Sequence, residues 1–399
     1  MGHDFLAFYS AGTFVREGRS DALYDLPAIK AFQQTLAEQH KMELGESVAP
    51  WWNPPFYALL FVPLSLLSYP TAWFVWLAVN LLAVGAACGL LCAMLPAECD
   101  WRTRGLVPLL VATSLPFIQS LGHGQNTSIS LLLLAAVVTL WRNQHALAAG
   151  MVLGLLFYKP QLAALLTIVL VIALGWRALA GVAITGTTLL AINLIALPYT
   201  ITDFLIRVPE NLHYMQAERA YVWDRHVTLA AFWRFLLQGD AIGETSRLAV
   251  LLAIVATVLL GGLLLRAILR SRTSTSHDTI IASTVLATPL LMPFYFDYDL
   301  LLLAVPAVLS AGSRVNEASV ARVQLARVRT IGWIALYAWL FVNPQITSVT
   351  HVNVAVILIA ALAVTTILSA TPGVIRNALA EPTSAAATSD RAQPLPLAA

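Results

Sequence analysis

Two kinds of side chain in this sequence could handle protons or phosphates, one of them near the chain start and the others at the ends of apolar runs. Asp4 lies in GHDFLAFYSAG, Lys159 stands between Tyr158 and Pro160, and Asp297 and Asp299 flank Tyr298. A positioned carboxylate can take a proton from a hydroxyl, and a lysine ammonium can bind a phosphate as a point charge. Each also has a plainer reading. A lone Asp near a chain start is ordinarily a solvated residue. Lys159 could snorkel, its stem following a helix while the ammonium reaches lipid headgroups. Asp297 and Asp299 could pair with Lys159 or Arg225 across a cleft, hold a divalent cation, or simply mark the end of a span.

The elements that must position these groups belong to a membrane. The 399 residues are 59% hydrophobic and 11% charged, with mean hydropathy +0.76, far from the roughly 25% charged residues of soluble domains. A net charge of +2 without a basic run gives no reason to expect nucleic acid. Cys88, Cys92 and Cys99 lie in or beside one apolar run and read as small packing residues. Apolar runs occur near 55–69, 71–95, 106–121, 127–141, 146–158, 161–175, 178–197, 247–265, 279–296, 300–312, 331–346 and 351–369. With no water in the hydrocarbon, these runs must be helices, so the fold class is all-α: a polytopic transmembrane bundle.

The run 55–69 decides the topology. If it lies flat as a juxtamembrane helix with residues 1–53 outside, the loops 96–105, 142–145, 176–178, 266–278 and 313–330 face the cytoplasm and carry 11 Arg. The short outer turns 122–126, 158–160, 297–299 and 343–350 then hold only Lys159. Positive residues in short loops favour the cytoplasm, so the flat assignment, with eleven spans, is the expected one. It gathers residues 1–53, the GHGQN turn, Tyr158-Lys159-Pro160, the segment 198–246 and Asp297-Tyr298-Asp299 on one extracytoplasmic face. Charged turns between spans point to a functional cleft.

GHDFLAFYSAG, an LYD at 23–25, WWNPPFYALLFVPLSLL, GHGQNTSISLLLL, YKPQ and FDYDLLLL follow one another in this order. Together they resemble glycosyltransferase family 87, bacterial GT-C transferases that include a polyprenyl-phosphate-mannose-dependent α-1,2-mannosyltransferase. The resemblance covers about residues 3–370. It implies a GT-C-type domain over 1–370 in the cell (plasma) membrane, lacking the family's leading helix, which is expected upstream of Met1. The low-complexity segment 371–399 reads as a disordered cytoplasmic tail.

The resemblance also implies roles. An acidic residue in the first extracytoplasmic loop serves such enzymes as general base, and Asp4 occupies that place. One carboxylate suffices, because a phosphate leaving group has little need of the acid used in glycoside hydrolysis. Asn53 of WWNPP, Gln125, Asn126, Lys159, Arg225, His226, Tyr298 and Asp299 become candidate substrate-binding residues. Asn126 has a second reading as a helix N-cap. His123, beside them, is a weaker candidate, and the stretch YVWDRHVTLAAFWRFL could equally be an interfacial amphipathic segment. The implied partners are a polyprenyl-phosphate-linked sugar donor, a glycolipid or glycan acceptor and membrane lipids, with no cofactor and no metal. The competing function is a transporter or flippase of lipid-linked sugars, which would favour paired halves and charges near the midplane; the sequence shows no internal repeat.

Overall fold

The apolar runs become helices throughout the computed structural model, which describes residues 2–41, 43–45, 47–271, 277–312 and 320–369. The segment 371–399, expected to be a tail, lies outside the described residues. Among the described residues there is no strand, only an isolated backbone bridge between His226 and Phe296. The all-α expectation therefore holds, for the reason that made it: a helix satisfies its backbone groups internally.

Residues 1–53 differ from a soluble loop. They begin with a helix, α1 (His3–Arg16), whose Phe5, Leu6, Phe8, Ala11 and Phe14 are buried. Asp25 of the LYD segment then caps α2 (Leu26–Gln39), its Oδ1 accepting from the Ala28 N–H at 3.0 Å. Such a cap satisfies one of the orphan donors at a helix start.

The run 55–69 does not form a spanning helix. It folds as two 3₁₀ turns, Pro55–Phe61 and Leu64–Leu66, between Pro54 and Ser68. Seven residues at a rise of about 2 Å cover about 14 Å, half of the ~30 Å a span must cross. These turns lie against α1 instead. Tyr9 donates to the Leu67 carbonyl at 2.8 Å, Arg16 donates to the Ser65 carbonyl, and Gly12 admits Phe61 so closely that any side chain there would collide with its backbone.

Three helices are long and apolar enough to cross a membrane singly: α3 (Tyr69–Met94), α9 (Trp176–Ala196) and α12 (Arg247–Ser271). Two further candidates are bent pairs. Between α3 and α9 run α4 (Trp101–Thr113) and α5 (Leu115–His123), bent by 47° where Ser114 and Pro116 interrupt the helix. They are followed by the shorter apolar helices α6 (Thr127–Arg142), α7 (Ala146–Leu155) and α8 (Pro160–Leu174). The segment expected as a long outer loop holds two helices, α10 (Thr200–Ala217) and α11 (Leu229–Gln238). After α12 come α13 (His277–Leu291), a 3₁₀ helix at Asp297–Leu303 and α14 (Ala304–Gly312). The second bent pair, α15 (Val320–Leu340) and α16 (Asn343–Thr350), turns by 76° and precedes α17 (Val354–Ser369).

An aromatic cluster joins α1 to this bundle. Phe8 stacks on Phe61 at 4.8 Å between ring centroids, and Phe5 meets Trp73 at 5.5 Å and Trp76 at 6.2 Å. Each such pair adds about 0.5–1.5 kcal/mol beyond its buried area, so the start of α1 is tied to α3.

Candidate active site

A cavity of about 1140 Å³ opens between the start of α1, the segment 47–53, the α5–α6 turn, the start of α8, α10 and the loops at 219–225 and 294–299. Asp4, Asn53, Gln125, Lys159, Arg225, Tyr298 and Asp299 all line it. Residues scattered over the chain thus meet in one space.

Asp4 enters the cavity from the first turn of α1, where the positive end of the helix dipole favours a carboxylate. Its Oδ2 accepts from Gln125 Nε2 at 2.8 Å. Gln125 reaches it from a turn closed by Gly124, which adopts the left-handed conformation (φ 74°, ψ 32°) that ends α5.

Lys159 stands immediately before α8 and is 7% exposed, while Asp299, in the 3₁₀ helix before α14, is 3% exposed. The Lys159 Nζ lies 2.8 and 3.2 Å from the two carboxylate oxygens of Asp299, and Thr127 Oγ1 donates to Oδ1 at 2.8 Å. Buried charges need such partners, because removing an ion from water costs several kcal/mol. Of the readings open for Lys159 and Asp299, the structure selects the pair across the cleft over the snorkelling lysine.

Arg225 forms the second pair. Its Nε and Nη2 donate to Asp297 Oδ2 and Oδ1 at 3.2 and 2.9 Å, a two-point contact suited to a planar guanidinium. Burial works against the charged form of Arg225, but Asp297, with Tyr298 and Asp4 adding to it, raises its pKa above the ordinary value. Tyr298 lies between the two cations, 5.4 Å from Lys159 Nζ and 5.7 Å from the Arg225 guanidinium carbon.

His226 and Asn126 are placed elsewhere. The His226 ring packs at 4.8 Å from Phe294 and 4.2 Å from Phe296, and its Nε2 meets the Tyr221 hydroxyl at 2.8 Å. Burial, with Arg225 adding to it, pushes its pKa down to about 3. A neutral, enclosed imidazole does not supply a cation for a phosphate; it fastens the loop that carries Arg225. Asn126 is fully buried and donates to the Tyr57 hydroxyl at 3.0 Å, away from the cavity lining. Nor does its side chain cap α6. Asn53 lines the cavity, yet its amide donates to the Tyr158 carbonyl at 2.9 Å and its own carbonyl accepts from Tyr24 at 2.8 Å, so it also braces the wall. His123 approaches the ring of Tyr298 at 6.4 Å and is absent from the lining.

The model of glycosyltransferase family 87 matches residues 51–293. The chain belongs to glycosyltransferase family 87. It is a membrane glycosyltransferase, as the sequence resemblance implied. No curated protein and no solved structure matches it. Asn53, Gln125, Lys159 and Arg225 fall within the matched stretch of this family 87 chain, while Asp4, Tyr298 and Asp299 lie outside it.

Sequence reasoning missed one wall of the family 87 cavity. Arg207, Asn211, Tyr214 and Arg219 line it from α10 and the residues that follow. Asn211 donates to the Tyr24 carbonyl at 2.9 Å, and Arg207 lies 3.7 Å from Asp25. The polar residues within LIRVPENLHYMQAER were the available signal, since an apolar helix facing lipid on all sides would not need them. Gln161, two residues beyond Lys159 in YKPQ, also lines the cavity. Among the described residues, no three His, Cys, Asp or Glu side chains gather as a metal site requires.

Proposed function

We propose that this family 87 enzyme transfers a hexose, mannose in the first instance, from a polyprenyl-phosphate donor to a glycolipid or glycan acceptor on the extracytoplasmic face of the cell membrane. The observation that supports this reading is the sharing of one cavity by a carboxylate, Asp4, and two cations, Lys159 and Arg225. A base for the acceptor and positive charge for the donor phosphate are then available to the same pair of substrates.

Asp4 takes the proton from the acceptor hydroxyl as that oxygen bonds to the anomeric carbon. The bond from the anomeric carbon to the phosphate oxygen breaks on the opposite side, and the phosphate leaves with the electron pair. The configuration inverts, so a β-linked donor gives an α-linked product. Lys159 and Arg225 oppose the negative charge that grows on the leaving phosphate, the kind of preorganised stabilisation that contributes most in a site shielded from water. Each cation already has a carboxylate partner, which keeps it in place before the donor arrives.

The test is transfer from labelled polyprenyl-phosphate mannose, glucose and arabinose to the acceptors in membranes of expressing cells. Asp4→Asn keeps the size of the side chain and removes its basicity, so turnover should fall by about 10²- to 10⁴-fold with donor KM nearly unchanged. Lys159→Ala should raise donor KM as well as slow turnover. Wild-type rates in Asp4→Asn would remove Asp4 from this role.

A further inference from the structure

We infer that Gln125 is a positioning residue that acts through Asp4 rather than on the substrate, and that α3 sets the geometry between them. The inference rests on Asp4 being the general base. Gln125 is 8% exposed, and one N–H of its side-chain amide donates to Asp4 Oδ2 at 2.8 Å. One carboxylate oxygen is thereby held by the turn after α5, which fixes where the Asp4 carboxylate stands in the cavity. Positioned proton transfer depends on such geometry before it depends on acidity.

The backbone that carries Gln125 is held from two sides. Its own N–H donates to the Ser120 carbonyl at 2.8 Å, and that of Gly124 donates to the Leu121 carbonyl at 3.1 Å, the paired bonds of a helix end closed by a left-handed glycine. From α3, Trp76 Nε1 donates to the Gly124 carbonyl at 2.8 Å, while Tyr69 donates to the Gly2 carbonyl at 3.3 Å. The indole of Trp73 lies between these two anchors. A Cβ on either Gly2 or Gly124 would collide with it, and both glycines have positive φ. Tyr69, Trp73 and Trp76 follow the i, i+4, i+7 spacing of one helix face. The start of α1, bearing Asp4, and the turn bearing Gln125 are therefore both laid against one rigid aromatic strip.

The experiment compares Gln125→Met, which keeps the length and loses the donor, with Gln125→Glu, which places a second carboxylate beside Asp4. Arg225 and Tyr298 also lie within electrostatic reach of Asp4 and stay unchanged in both variants. With labelled polyprenyl-phosphate mannose, Gln125→Met should lose about 10- to 100-fold in kcat, the equivalent of one hydrogen bond to a charged group, with donor KM unchanged. In Gln125→Glu the acid limb of the pH–rate profile should move to higher pH, because neighbouring carboxylates oppose each other's ionisation. A substrate-independent measurement accompanies it: carbodiimide labelling of the Asp4 carboxyl, read by peptide mass in the folded purified protein. Labelling should persist to higher pH in Gln125→Glu than in the wild type.

A raised donor KM with unchanged kcat in Gln125→Met would overturn the inference and make Gln125 a substrate ligand. Unchanged labelling of Asp4 in Gln125→Glu would overturn it too, whatever the activity. The two readings separate cleanly. An inactive Asp4→Asn beside a wild-type Gln125→Met removes only the positioning role, whereas a fully active Asp4→Asn removes the base and the positioning role with it.

Discussion

Lys159 Nζ bridges both carboxylate oxygens of Asp299, at 2.8 and 3.2 Å, across 140 positions of chain. The pair joins the start of α8 to the 3₁₀ helix before α14, so the cation offered to the cavity is held by a residue from a distant segment. Thr127 adds a third point of attachment from the start of α6.

Breaking this pair from one side should be costly. Lys159→Met leaves the Asp299 carboxylate buried without its cation, and such changes typically cost about 3–5 kcal/mol. Replacing both partners, as in Lys159→Met with Asp299→Leu, should recover most of that stability without recovering transfer. Thermal unfolding in detergent and rates in the same preparations measure the two effects. Full transfer by the double variant would mean that Lys159 serves packing alone.

The environment of His226 gives a pH dependence. Its pKa is about 3 in the folded protein, against about 6.5 when unfolded. As pH falls, the unfolded chain binds the proton first, so the stability from the neutral imidazole is complete above about pH 6.5 and declines towards pH 3. Between pH 7 and pH 5 this group should cost about 2 kcal/mol. His226→Phe should lack that part of the slope. Equal slopes for the two proteins would show that the folded state accepts the proton.

Gly124→Ala should damage both stability and turnover. The new Cβ meets Trp73 and the start of Phe5, and φ is +74°; strain of this kind costs about 1–3 kcal/mol before any clash. Trp73→Leu in the same chain should relieve the collision and restore part of the stability. If Gly124→Ala melts at the wild-type temperature and works at the wild-type rate, α3 does not hold the turn.

Sidedness can be read by labelling. In a chain with Cys88, Cys92 and Cys99 replaced by Ala, Ser20→Cys and Asp240→Cys should react with a membrane-impermeant maleimide in intact cells. Asn143→Cys should react only after permeabilisation. The opposite pattern would invert the topology that the 11 Arg indicate.

Composition and the apolar runs were enough to read the membrane class and the all-α architecture, because hydrocarbon admits few other backbones. The motif order was enough to read the family. The flat reading of 55–69 came from charge asymmetry and agrees with the 3₁₀ turns there. Local sequence also marked Gln125, Lys159 and Asp299 as polar groups at the ends of apolar runs, and the resemblance marked Asp4. It did not make α1 a buried helix: HDFLAFYSAGTFVR takes its place from aromatic contacts with Phe61, Trp73 and Trp76, supplied by later segments. Asn126 and His226 resemble ligands in sequence, yet tertiary packing turned one to Tyr57 and enclosed the other between Phe294 and Phe296. The partners of Lys159 and Arg225, the Asp4–Gln125 bond and the α10 wall are long-range relationships. Only the folded chain decides them, because a polar side chain's role depends on which distant groups satisfy it once water has been removed.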